Sequence, residues 1–221
     1  MNKKKQKLIH LGITGLIVII SFFAWNTFLV YPIKLFVVLV HEMSHGLVAV
    51  LTGGSIVEIS LDQHLGGLTT TQGGNKFLTA SAGYLGSISL GALLFYASFD
   101  KKVSVWFTTG FVILLLIFAA NFIVGTIGHI VAVGAAVLLV VSPRFFNKQV
   151  NEIILQSLGL ISAFYVLIDI KEDLLSGTNY QTDTLILESI TGIPSVFFAL
   201  VWLVISVVVI FFLVKKLINA K

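Results

Sequence analysis

Long apolar runs separated by short polar breaks dominate this chain. About 20 apolar residues cover the hydrocarbon core of a bilayer at 1.5 Å per residue. Leu8 to Val30 meets that length. Ile33 to Leu51 follows across the break Tyr31-Pro32, where proline disfavours a helical residue before it. Similar runs fall at Phe77 to Ala97, Val103 to Ala120, Asn121 to Val141, Ile153 to Ile168 and Ser195 to Val214. Each predicts a helix, with Asn121 as a tight turn or a polar residue in a bent pair. After the second run, Gly53-Gly54 reads as a glycine stop and the period changes to two. Ile56, Glu58 and Ser60 alternate with Val57, Ile59 and Leu61, which predicts a strand. Gly66-Gly67 reads as a turn and Leu68 to Thr71 as a returning strand. The pattern predicts an all-α polytopic membrane bundle of about six to seven membrane segments. A short β-hairpin or re-entrant element, residues 53–76, interrupts it after the second helix. A hairpin in lipid leaves edge groups unpaired, so it must pack on protein or lie at the interface.

Composition agrees with this pattern. Of 221 residues, 57% are hydrophobic and 11% charged, with a mean hydropathy of +1.03. A soluble domain carries about 25% charged residues to wet its surface, so lipid must be the main solvent here. The length suits one compact bundle, residues 1–221, without a separate soluble domain. The formal charge of +4 is too small to argue for nucleic acid. The basic residues instead cluster at the ends of apolar runs, where they orient segments against anionic lipid. Met1 to Lys7 resembles the start of a signal peptide, but the run behind it is too long for one, and it reads as an uncleaved first span. Lys3 to Lys7 and Lys215-Lys216 both favour the cytoplasm, which requires an even number of crossings. Seven runs are found, so either one of them fails to cross or one positive cluster lies outside, and the discrepancy falls in the N-terminal half, where the hairpin region is a candidate to re-enter the membrane.

Candidate chemistry lies in the second run, at His41-Glu42-Met43-Ser44-His45. Residues four apart on a helix share a face about 6 Å from each other, so both imidazoles can reach one metal. Glu42 is offset by one residue and can act as general base toward the water that zinc activates. Two histidines and a glutamate in an apolar span are costly unless partnered, about 2.5 kcal/mol or more for a central carboxylate. A polar cluster satisfied by neighbouring helices is the plain alternative; it explains burial but not the spacing. Cysteine is absent, so the third zinc ligand must come from a carboxylate or another histidine. Asp169, which ends the run Phe164 to Ile168, is the first candidate. Asp173, four residues on, is the alternative ligand or a supporting partner. Both can equally be read as a solvated helix end beside Lys171. Asp183 reads as an N-cap of the stretch Thr184 to Ile190 before it reads as a ligand. His129 fits a lone histidine bonded to a carbonyl, and His10 near the N-terminus and His64 in the turn have no assigned role.

With these residues the sequence resembles the site-2 protease superfamily, in particular its small branch of B-like zinc metallopeptidases. The resemblance rests on His41 to His45, Gly53-Gly54, Gly66-Gly67, and Gly83-Tyr84-Leu85-Gly86-Ser87. Tyr165 to Leu174, Thr182-Asp183-Thr184 and Thr191-Gly192-Ile193-Pro194 extend it, so that it spans about residues 35 to 205. It implies a single transmembrane metalloprotease-like domain that holds Zn2+ through His41 and His45 and uses Glu42 as base. It also implies cleavage of membrane-associated substrates, with a hairpin beside the site. The family's third ligand comes from an Asp-Gly motif opening a late helix. This chain has no Asp-Gly, and Asp169 matches by context alone. No PDZ module is present. The expected partners are a membrane protein or peptide substrate and the lipid bilayer. The expected location is a bacterial plasma membrane, with the chain as a multi-pass protein. A transporter or a non-catalytic zinc-binding membrane protein is the competing reading. It finds only Asn121 and His129 as polar residues beyond the cluster and no inverted repeat.

Overall fold

A computed structural model describes residues 2–62, 66–175 and 182–219. Helices α1 (Lys3–Phe23) and α2 (Tyr31–Leu51) precede the strands β1 (Ser55–Leu61) and β2 (Gly67–Gln72). Helices α3 (Lys76–Ala97) and α4 (Lys101–Asn121), strand β3 (Ile123–Val124) and helix α5 (Thr126–Phe145) follow. Helices α6 (Lys148–Leu175), α7 (Asp183–Thr191) and α8 (Ser195–Asn219) complete the chain. Among the described residues all helices but α7, seven in number, are long and apolar enough to cross a membrane. The molecule is the expected all-α bundle with a small sheet.

Local chemistry sets the element ends. Asn75, Asp100 and Thr182 are side-chain N-caps, accepting from the backbone N–H groups of Leu78, Val103 and Leu185. Pro32 sits in the first turn of α2, where its missing N–H leaves no helical bond unmade. Gly53 and Gly192 take the left-handed conformation just past α2 and α7, with φ of 87° and 72°. Outer faces carry exposed Leu16, Ile19 and Phe23 on α1, and Leu200, Val204 and Phe211 on α8. Water would oppose that exposure at about 25 cal/mol per Å² of apolar surface, a penalty that lipid removes.

Three details depart from the pattern read along the chain. Helix α1 ends at Phe23, seven residues before Val30. The break around Asn121 is a strand, not a simple turn, because Ile123 and Val124 pair in parallel with Ile59 and Ser60. Helix α6 continues past Ile168 to Leu175, so Asp169 and Asp173 lie on its last two turns. The hairpin forms as expected. β1 and β2 pair antiparallel from Ser55↔Gln72 to Leu61↔Gly67 with an irregularity at Val57. The sheet order β2-β1-β3 leaves β2 at an edge. His64, read as a turn residue, lies outside the described residues.

Helix directions follow from specific contacts. His10 meets Gln156, and Phe22 meets Phe164, so α1 runs parallel to α6. Gln156 donates to Ser98, and Gly91 crosses Gly159, so α3 runs antiparallel to α6. Lys216 lies 5.3 Å over the Phe99 ring, bringing the end of α8 to that same end of the bundle. The starts of α1 and α6 and the ends of α3 and α8 thus share one end. The sheet and the last turns of α6 lie toward the other. The connection from α1 to α2 packs Trp25 on Tyr165, with ring centroids 5.7 Å apart, so α2 begins partway along α6. Helix α2 is the most enclosed of the seven and the one at which simple up-and-down alternation fails.

Candidate metal centre

Helix α2 carries His41, Glu42 and His45, all buried, into the middle of the fold. Their spacing sets the two imidazoles side by side, with ring centroids 4.8 Å apart. His45 Nδ1 donates to the Thr79 carbonyl at 2.7 Å, which turns Nε2 toward the site. The facing position on α3 is Gly83. A Cβ there would run into Nε2 of both His41 and His45, so the absent side chain is what lets the imidazole edges sit against α3. Gly86 makes the same room for Ser44 one turn on.

A carboxylate completes this arrangement. Thr182 caps α7, and Asp183 follows as its first helical residue, where a negative charge suits the helix N-terminus. Asp183 Oδ2 lies 3.1 Å from His41 Nε2 and 3.2 Å from His45 Nε2. Burial alone would raise the Asp183 carboxyl; the facing imidazoles of His45 and His41 outweigh it and hold the group well below the ordinary carboxylate range. One donor atom from each of these three residues lies within 4.8 Å of the others. Ligands about 2.0–2.2 Å from a tetrahedral zinc lie about 3.3–3.5 Å from one another, so this donor set and its close separations fit such an ion.

The expected third ligand was Asp169, with Asp173 as alternative, and neither joins the two Nε2 atoms. Asp169 Oδ2 lies 3.3 Å from the other ring nitrogen of His41, Nδ1, and its Oδ1 accepts from the Tyr165 hydroxyl at 2.9 Å. Asp173 accepts from the Tyr84 hydroxyl. Because α6 stays helical through both residues, each carboxylate remains on that helix, and Asp169 meets the Nδ1 side of the His41 ring. Asp183 reaches the Nε2 side from a separate helix. The N-cap read at Asp183 falls to Thr182. The one hint in the sequence was this capping pair, which places an acid at the first position of a helix. His129 and His10 stand apart from the centre, bonded to the Gly125 carbonyl at 2.8 Å and to Gln156 at 2.7 Å.

Glu42 sits beside the centre. Its Oε2 accepts from the Thr69 hydroxyl at 2.7 Å, a contact with β2 that sequence reasoning missed. A cleft of about 930 Å³ opens over these groups. Its walls include residues 66–71 from the hairpin, and Glu42, Asp169, Glu172, Asp173 and Asp183 outnumber Lys76 there. A strand edge, a candidate base and a candidate metal centre thus border one acidic cavity. Such a cavity admits water to a site enclosed by apolar helices, which hydrolytic chemistry needs.

A family model described as Peptidase M50B-like matches residues 14–213. No curated protein and no solved structure matches the chain.

Proposed function

The chain belongs to the peptidase M50B-like family, the site-2 protease family, and from that premise we propose that it is a zinc metalloendopeptidase cutting membrane-associated substrates. It is a multi-pass integral membrane protein. The observation that carries the proposal is the convergence of His41 Nε2, His45 Nε2 and Asp183 Oδ2 beside the Glu42 carboxylate.

In this reading His41, His45 and Asp183 hold the ion. A zinc bound by three protein ligands polarises a peptide carbonyl and brings the pKa of a water to about 7. Glu42 takes the proton of the attacking water and passes it to the leaving amine, the role of a general base that becomes a general acid. His45 is kept in its working tautomer by the Thr79 carbonyl. Asp169 faces His41 Nδ1 and orients that ring from behind instead of binding the metal. An extended substrate segment pairs with the free edge of β2, which exposes its peptide bonds to the cleft. The apolar helices keep bulk lipid out while the acidic cavity stays wet. A bacterial plasma membrane is the proposed location.

The test uses detergent-purified full-length protein and a panel of fluorogenic peptides built on single-span membrane segments. Wild type is expected to hold about one zinc per chain and to cleave members of the panel. Glu42→Gln is expected to keep the zinc and lose about 10²–10⁴-fold in kcat, the worth of a positioned general base. Absence of zinc from carefully prepared wild type would overturn the reading, and so would equal cleavage by Glu42→Gln.

A further inference from the structure

The chemistry above leaves two contacts between β2 and Glu42 without a role. The Thr69 hydroxyl lies 2.7 Å from Glu42 Oε2 and 3.0 Å from the backbone carbonyl oxygen of the same residue. A hydroxyl has one proton to give, and the shorter contact, to the side-chain carboxylate, is the stronger claim on it. It is the one hydrogen bond recorded to the Glu42 side chain among the described residues. Two residues earlier on the same face of the strand stands Gly67. A Cβ at that position would lie 2.5 Å from Glu42 Cγ and 2.6 Å from Oε1. Gly67 has no left-handed φ, so it is the room beside Glu42, and not the backbone, that calls for glycine there.

We propose that Thr69 is a positioning residue for Glu42, and that Gly67 and Thr69 together form a seat for the catalytic carboxylate on the inner face of β2. The proposal rests on Glu42 acting as the base. A glutamate side chain has three rotatable bonds, and the helix by itself does not choose among their settings. Gly67 lets the stem lie flat against the strand, and Thr69 sets the direction of the oxygens. The same strand presents its free edge to the cleft. The element that receives the substrate backbone therefore also holds the base, so the separation between the scissile bond and the proton acceptor is set within one strand. Errors of about 1 Å in such a separation cost on the order of 10²-fold in rate, which is why a rigid seat matters.

Thr69→Val keeps the shape and removes the hydroxyl, and Thr69→Ser keeps the hydroxyl. Expected for Thr69→Val is a kcat about 10- to 100-fold lower with KM within about twofold and zinc content unchanged; Thr69→Ser stays within about threefold of wild type. Wild-type kcat in Thr69→Val would overturn the proposal. So would Thr69→Ser as impaired as Thr69→Val, because a loss shared by both belongs to the strand and not to the hydroxyl. A thermal-unfolding cycle in detergent tests the seat without any cleavage. Gly67→Ala should lower Tm when Glu42 is present and leave it unchanged in a Glu42→Ala background. Equal losses in both backgrounds would refute the seat even if the chain proves to be an active peptidase. Coupling without peptidase activity would instead locate the failure in the catalytic reading.

Discussion

Asp183→Ala should strip the metal from this site, whereas Asp169→Asn should only loosen it. The distinction rests on which nitrogen of His41 each carboxylate faces. Asp183 Oδ2 stands 3.1 and 3.2 Å from the two Nε2 atoms, whereas Asp169 Oδ2 stands 3.3 Å from His41 Nδ1. A complete four-ligand zinc site is worth about 10–16 kcal/mol, hence about 2.5–4 kcal/mol per ligand if shared evenly. At 1.4 kcal/mol per factor of ten, loss of one ligand weakens binding by about 10²–10³-fold. A carboxylate that only orients a ligating histidine is worth about 10–100-fold. The low end applies to Asp169, since His41 Nδ1 makes no hydrogen bond among the described residues. Competition with a chromophoric zinc chelator, using detergent-purified full-length protein, reads both constants. Helical circular dichroism confirms that each variant is folded. If Asp169→Asn loses as much zinc affinity as Asp183→Ala, or more, the assignment of the third ligand to Asp183 is wrong.

Two glycine substitutions on α3, each paired with a control elsewhere, test the packing at the site and at the α3–α6 crossing. Gly83→Ala places a methyl group against Nε2 of His41 and of His45, and should weaken zinc binding about 10- to 100-fold. Gly12→Ala, where an added Cβ meets nothing within 4 Å among the described residues, is the control and should bind as wild type does. Gly91→Ala drives a methyl group to 2.5 Å from the Gly159 carbonyl oxygen and should destabilise the α3–α6 crossing by about 1–3 kcal/mol, read as a lowered Tm. Gly110→Ala, on an open face of α4, should be neutral or stabilising by up to about 1 kcal/mol. Identical behaviour of Gly91→Ala and Gly110→Ala would refute the close crossing.

Much of this fold could be read from the order of residues because the relevant physics is local. Apolar runs of membrane length become helices wherever no water competes for the backbone, and the period-two stretch from Ser55 to Leu61 became β1. The spacing of His41 and His45 is a property of one helix, so their shared face followed from 3.6 residues per turn. The odd number of runs, set against the two basic ends, drew attention to the N-terminal half, where the connection into α2 packs Trp25 on Tyr165 partway along α6.

Other features depend on contacts between parts of the chain far apart in sequence. Ile123 and Val124 became a strand only because β1 offered them a partner 64 residues away at Ile59 and Ser60. Asp169, Asp173 and Asp183 are chemically equivalent along the chain, and each follows or opens an apolar stretch. Which of them faces the two Nε2 atoms depends on how far α6 continues and on where α7 settles against α3. The Thr69 contact with Glu42 depends likewise on hairpin register, since a slip of one residue would turn that hydroxyl to the opposite face. The sequence by itself determined the membrane bundle and the pair of histidines on one helix, because backbone geometry and solvent impose both within a few turns. Only the tertiary structure decided which carboxylate faces the two Nε2 atoms, which one lies behind His41 and which strand touches Glu42. Each of those is a contact between separate elements, and their relative placement is an outcome of packing that no local pattern encodes.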